Sequence, residues 1–357
     1  MIGGRLMSLG NLSTVGLLAL LSVGLVVCLA FSCVTGAVDI PLVDAVRIIV
    51  NKTFGIGDLS GIPESYPIIV WELYAPRAFM GMVVGIGLAL CGVVMQAMVQ
   101  NPLADPYILG ISSGASLGAT FAFLIGTASL GGFLATAGVS GLAFLGSMAA
   151  ALAVFALAAV GGKITTTKMV LSGVIISSVC GAFSNLIVYL APSDSGIRSL
   201  TFWLMGSLGT EGFDSLVIPG LILVVCILFF MTQLRNLNAM MMGDETATTL
   251  GIDLSKLRLV YILLTSLLIA VLVCNCGIIG FVGLIIPHIA RALVGTNHWK
   301  LLPVSCLLGG IFMILADIAA RSITTSEIPI GIITAIVGTP VFAYIMIRRS
   351  YGFGEAN

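Results

Sequence analysis

The chain has 357 residues, and its 15 Lys+Arg balance 15 Asp+Glu, so the formal net charge is zero. Charged residues make up 8% of it and hydrophobic ones 59%, where a soluble domain carries about 25% charge; mean hydropathy is +1.18. A soluble protein of this size cannot keep that much apolar surface from water, which excludes a soluble enzyme, a disordered chain and a nucleic-acid binder.

Arg5 precedes an apolar run from Val15 to Phe31. The run outlasts the roughly 7–15 residues of a signal-peptide core, so it reads as a first membrane span. Runs of suitable length follow at 76–99, 107–126, 133–160, 169–190, 215–233, 258–276, 278–294, 300–320 and 330–347. With 12–34 they predict an all-α integral membrane protein of about ten crossing helices, in a single polytopic domain over 1–357. A shorter helix around Arg198–Leu208 is too brief to cross and is expected to dip in or lie at the interface. Gly277, Gly280 and Gly283 make a tight connection between the seventh and eighth spans.

The Lys/Arg distribution sets the orientation. With the N-terminus inside, Arg5, Lys163, Lys168, Arg235, Lys256, Arg258, Arg291, Lys300, Arg348 and Arg349 are cytoplasmic. Arg47, Lys52, Arg77, Arg198 and Arg321 lie outside, together with most of the acids, among them Asp39 and Glu211. That bias is the positive-inside pattern, and both termini are then cytoplasmic. The second to fifth spans begin outside and the seventh to tenth inside, which allows an inverted repeat. Gly81 with Gly85, and Gly110, Gly114 and Gly118, are spaced for close helix contact in a bundle without a wide permanent pore.

Most of the eight Cys lie within apolar runs and act as small hydrophobes. Cys274 and Cys276 have no His or carboxylate close by in sequence, so no metal site is expected. No phosphate loop is present, since Gly162-Lys163 is followed by Ile164, and ATP hydrolysis and its Mg are expected on a separate subunit. His-Glu-x-x-His and a cluster of intramembrane carboxylates are also missing, so no catalytic residue is assigned. The scarcity of ligands for a naked metal favours a cargo that is neutral or already chelated.

Four segments carry more than packing. Asn101-Pro102-Leu103-Ala104-Asp105-Pro106 stops one helix and turns into the next; Asp105 either caps that helix or, with Asn101, supports the inner mouth of a pathway. Met240 to Arg258 is the longest cytoplasmic loop. In it Asp244 to Leu250 form a short helix that Gly251 ends and Asp253 caps another start, giving either a stiff docking knob or a plain surface loop. Gly280 to Arg291 places His288 and Arg291 on one helix face, where the His reads as a structural hydrogen-bonder. Asp317 and Arg321, four apart near the outer end of the ninth span, form an internal ion pair by default, or Arg321 snorkels out to meet a partner at the outer surface; Glu327-Ile328-Pro329-Ile330-Gly331 follows.

These segments resemble the permease subunits of ABC importers for ferric siderophores, haem and cobalamin, the FecCD-type, type II importers. The similarity runs from Trp71 to Arg348, and is carried by Gln96 to Gly114, Gly280 to Arg291, and Glu327 to Gly331 leading to Gly338-Thr339-Pro340-Val341-Phe342. The resemblance implies a cobalamin-importer-like permease fold in a prokaryotic cytoplasmic (inner) membrane. It implies a homodimer or paired homologue, two cytoplasmic ATP-binding subunits, and an extracytoplasmic substrate-binding protein. The ATPase-docking residues would be Gly243, Asp244, Glu245, Thr246, Ala247, Leu250 and Gly251. Arg77 and Arg321 would pair with carboxylates of the binding protein. Where relatives often carry Arg-Leu-Pro-Arg, this chain has Tyr74-Ala75-Pro76-Arg77, which removes one such pair. The fifth and tenth spans and the helix bearing Phe202 and Trp203 would line a channel on the dimer axis, with an inner gate near Thr165, Thr166 and Thr167. The implied activity is ATP-driven alternating-access import, with ferric siderophore the favoured cargo and haem or cobalamin the alternatives. An ion-gradient-driven secondary transporter is the rival of another class, and Asp317 is the acid it would need.

Overall fold

The computed structural model describes residues 13–126 except 37 and 39, 132–162, 164–191, 194–209, 212–324 and 326–348. Arg5, Asp39, Lys163, Glu211, Arg349 and both chain termini lie outside the described residues. Fourteen helices are numbered here in chain order, and no strand occurs among the described residues.

The first is α1 (Thr14–Ser32), whose N-terminus is capped by the Ser13 hydroxyl accepting from the Gly16 N–H. Next come α2 (Leu42–Phe54) and α3 (Ser65–Val99), the latter continuous over 35 residues. α4 (Ile111–Leu124), α5 (Gly132–Ala159, broken at Gly138, φ 62°), α6 (Thr166–Leu190) and the short α7 (Asp194–Leu204) follow. Then come α8 (Asp214–Thr232), α9 (Leu234–Met240), α10 (Asp244–Thr249), α11 (Leu254–Cys276), α12 (Val282–Val294), α13 (His298–Ser322) and α14 (Ile330–Arg348). Seven of these are long and apolar enough to cross a membrane; α4, α12 and α14 are shorter apolar helices.

α3 is the central post, packed chiefly on α13 and also on α12 and α11. Gly85 and Gly309 set its approach to α13, because a Cβ on either would run into the other's carbonyl oxygen. Without water to drive association, this backbone contact supplies the packing that holds helices together in lipid. Gly114 and Gly146 do the same between α4 and α5. α1 has few buried residues and leans on α13, as befits a peripheral helix facing lipid.

Near its start α3 widens into a π turn over Ile69–Tyr74, where the Ala75 N–H bonds the Val70 carbonyl. Pro76 is the cause: it has no N–H to give to the preceding turn and its ring crowds the carbonyl there, so the ladder slips by one residue. The slip leaves both Tyr74 and Arg77 buried.

Several boundaries differ from those read in the sequence, among them the start of α3, which lies at Ser65 rather than 76. α2 was not anticipated; it is an amphipathic helix whose Ala45 and Ile48 pack with Ile40, Val70 and Tyr74 in a small second core over one end of the bundle. Its signal was an apolar pair three apart amid Asp44, Arg47 and Lys52. The short helix expected at Arg198–Leu208 begins at Asp194 and ends at Leu204. α4 starts at Ile111 rather than 107, because Pro106–Leu109 form a 3-10 turn closed by Gly110 at φ 71°. α12 starts at Val282 rather than 278, since residues 277–281 are non-helical, with Gly277 at φ 68° and even Phe281 at 69°. Partners from elsewhere in the chain satisfy that break: Ser207 N–H bonds the Cys276 carbonyl at 2.8 Å, and the Tyr107 hydroxyl donates to Ile279 O at 3.1 Å. Irregular backbone inside a membrane bundle is tolerable only where the protein itself completes the hydrogen bonding.

Candidate docking, gating and outer ion sites

At the end of the bundle expected to be cytoplasmic, α10 stands between two glycines in left-handed conformation, Gly243 at φ 101° and Gly251 at φ 83°. Ala247 is fully buried and anchors the turn, while Glu245, Thr248 and Thr249 face out. Met242 and Leu250 are two-thirds exposed at its two ends, apolar tips on an otherwise polar loop. Thr246 is half-buried. Beyond Gly251, the Asp253 carboxylate caps α11 by accepting from the Lys256 N–H at 3.2 Å. That bond, with an ion pair to the same lysine at 3.1 Å, holds the Asp253 carboxyl below the usual carboxylate range. The seven expected docking residues therefore fall on one small projection, with Ala247 as its buried anchor.

Asp244 opens α10 and turns inward. Its Oδ1 accepts from Arg258 Nη2 at 2.8 Å and from Gln100 Nε2 at 2.6 Å. Arg258 is one turn into α11 and 2% exposed. It also donates to the Ile164 carbonyl at 3.2 Å and to the Thr166 hydroxyl at 3.0 Å. Gln100 ends α3 at φ 54°, an unusual angle for a side-chain-bearing residue that ends the helix and lets it reach Asp244. A cleft of about 740 Å³ separates α10 from the start of α6, lined by Thr165, Glu245, Thr248 and Asp253, with Arg258 at its base.

Of the residues expected at an inner gate, Thr165 caps α6 by accepting from the Lys168 N–H, Thr166 joins the Arg258 cluster, and Thr167 is exposed. Asn101 is exposed and its side chain closes the turn to the Leu103 N–H at 2.9 Å. Asp105 is a cap, accepting from the Tyr107 N–H at 2.7 Å. Burial pushes its carboxyl above the usual range and that N–H opposes the shift. Phe202 and Trp203 lie elsewhere: the Trp203 carbonyl packs on Gly277, at the opposite end of α11 from Arg258. The 23 residues of α11 span about 35 Å, so Phe202 and Trp203, expected to line the channel, stand far from the threonines expected at its inner gate.

The other end of the bundle holds a second charged cluster. Asp317 is fully buried between two arginines, with Arg77 Nε at 2.8 Å from Oδ1 and Arg321 Nε at 3.0 Å from Oδ2. Arg77 Nη1 also meets Glu327 at 2.7 Å. Arg321 donates to the Ser32 hydroxyl at 2.8 Å and lies over the Tyr74 ring, 5.1 Å from its centroid. Two cations and two anions thus tie α1, α3, α13 and the approach to α14. This corrects the expectation of Arg77 and Arg321 as outward docking charges: they are 9% and 5% exposed and already paired. Glu327 is the member that reaches solvent, its side chain 60% exposed. Tyr74 compensates for the basic residue expected there, offering Arg321 a cation–π face instead of a second repelling charge.

The Asp317–Arg321 pair was legible in its spacing. The long-range partners, Arg77 and Arg258, carried no signal of their contacts, because nothing in sequence links residues so far apart. The third motif is also internal: Arg291 donates to Gln96 at 2.7 Å, Gln96 donates to the Leu284 carbonyl, and His288 is buried.

The FecCD transport family profile matches residues 24–348. The chain is 38% identical over 289 residues to the cobalamin import system permease protein BtuC of Halobacterium salinarum, covering 81% of this chain and 76% of that one. It is 35% identical over 284 residues to the molybdate import system permease protein MolB of Haemophilus influenzae, covering 80% and 82%. A solved inward-facing conformation of a metal-chelate type ABC transporter superposes with a TM-score of 0.78 at 30% identity, over 94% of this chain and 100% of that one.

Proposed function

Since this chain belongs to the FecCD transport family and is a multi-pass permease of an ABC importer, we propose that it imports a chelated iron compound, a ferric siderophore, by ATP-driven alternating access. It does so paired with a second permease subunit, with both termini cytoplasmic. Two ATP-binding subunits dock on Gly243 to Gly251 and supply the hydrolysis, and an extracytoplasmic binding protein delivers cargo. Haem and cobalamin are the alternative cargoes within the same machinery.

The observation that carries this reading is α10, a short helix held out from the bundle by Gly243 and Gly251 with Met242 and Leu250 exposed at its tips. Exposed apolar side chains on a polar projection are the anatomy of an interface centre. The chelate reading draws support from the metal-chelate type neighbour. Against gradient-driven transport stands the state of Asp317, which two arginines already neutralise.

Uptake of radio-iron ferrichrome, haemin and labelled cobalamin by cells expressing the chain tests the proposal. Uptake of the iron chelate should stop on Gly251→Trp and on Leu250→Glu, the latter making no demand on backbone conformation. Uptake that survives both changes and follows a proton gradient would refute it.

A further inference from the structure

Arg258 occupies a position that packing does not require. A buried guanidinium is a weak stabiliser, because its desolvation offsets much of what its partners return. Its Nε has no hydrogen-bond partner in this structure. What its other two nitrogens do is connect. Nη2 holds Asp244, the first residue of α10, and Thr166, the first residue of α6; Nη1 holds the Ile164 carbonyl just before α6. Between α10 and the start of α6 there is otherwise an open cleft. α10 packs chiefly on α9 and the start of α11, so a displacement of α10 reaches α6 through this side chain.

Arg258 is fixed at its own base by α11, a helix buried along most of its length. Its planar fork can hold a carboxylate and a hydroxyl at once in fixed geometry, which a lysine cannot. Asp244 is 42% exposed, so it sits where a docked protein can press on it, whereas the guanidinium at 2% does not. Gln100 shares the same carboxylate oxygen and adds the inner end of α3 to the linkage.

The geometry points to Arg258 as a positioning residue that couples the docking helix to the inner end of α6. Movement imposed on Asp244 by an ATP-binding subunit is passed through the guanidinium to Thr166 and Ile164, and the inner ends of α6 and α3 move with it. The inference rests on the reading of α10 as a docking helix, and its failure can be told from the failure of that reading.

The test uses the permease purified with its ATP-binding subunit, bearing Thr167→Cys as a reporter on the exposed side of α6. Maleimide labelling is timed without nucleotide and after trapping with ATP and orthovanadate, against the chain without the added cysteine. With Arg258 present, trapping should change the labelling rate several-fold. With Arg258→Gln, the ATP-binding subunit should still co-purify and hydrolyse ATP, but the nucleotide response at position 167 should be lost; Arg258→Lys should restore part of it. Thr166→Val, which spares both charges, serves if Arg258→Gln fails to fold, and should also blunt the response. An undiminished response in these variants overturns the coupling role. Absence of any ATP-binding subunit from the unsubstituted complex overturns the docking reading, and the coupling with it.

Discussion

The two charged clusters at opposite ends of the bundle are built from the same residue types and behave oppositely. The outer cluster is closed at its centre: Asp317 is sealed from water between Arg77 and Arg321, and Glu327 balances the charge from the exposed rim. The inner one is open: one buried arginine reaches a carboxylate that is 42% exposed, across the base of a cleft. A closed network fixes elements relative to one another, because each charge would be stranded if they separated. An open one can exchange its partners for water or for another protein at modest cost, and so suits a part that moves.

The sharpest break of this comparison is Asp317→Asn. It leaves two buried guanidinium groups facing each other, and the expected loss is about 3–5 kcal/mol, seen as a lower unfolding midpoint in detergent. Gly85→Val comes next, since its side chain would meet the Gly309 carbonyl and force α3 and α13 apart; overpacking of this kind costs about 1–3 kcal/mol. Arg258→Gln should cost less than Asp317→Asn although Arg258 is as buried, because the abandoned Asp244 is left half in water. Its main effect is on coupling, and equal stability losses for the two variants would erase the distinction drawn here. Glu327→Gln, at the exposed rim of the outer cluster, should cost under about 1 kcal/mol.

The smallest effect carries a sign. Burial raises the Asp105 carboxyl, so the folded protein holds that proton more tightly than the unfolded chain does. The charged form is penalised once pH rises through the raised value. Asp105→Asn keeps the cap without the charge, and should be at least as stable as the parent at pH 7. Its advantage should shrink as pH falls and vanish below the ordinary value of 3.8. Asp105→Ala loses the cap and should be less stable than the Asn variant at every pH.

What could be read in the sequence was whatever is encoded locally. The helix Asp244–Thr249, its end near Gly251 and the restart at Asp253 follow from capping residues a few positions apart. Positions of the long apolar helices follow from the length of apolar runs. The break at 277–281 was marked by Gly277, Gly280 and Gly283, but its length was hidden, because Ile278-Ile279-Gly280-Phe281 is as apolar as a helix. The break is held open by Ser207 and Tyr107 from elsewhere in the chain. The destination of Arg77 was hidden because its partner is distant in sequence: outward charge and internal pairing look alike until α3 and α13 are side by side. α2 escaped notice because its buried face is only one or two residues wide.

The central claim is that this permease works with ATP-binding subunits seated on α10. The most direct measurement is purification of the tagged chain from its own membranes in mild detergent, with mass spectrometry of what accompanies it. The account predicts a stoichiometric ATP-binding subunit, lost on Leu250→Glu while the permease stays folded. A permease that emerges folded and alone, or one whose ATP-binding partner is indifferent to Leu250 and Gly251, would contradict it.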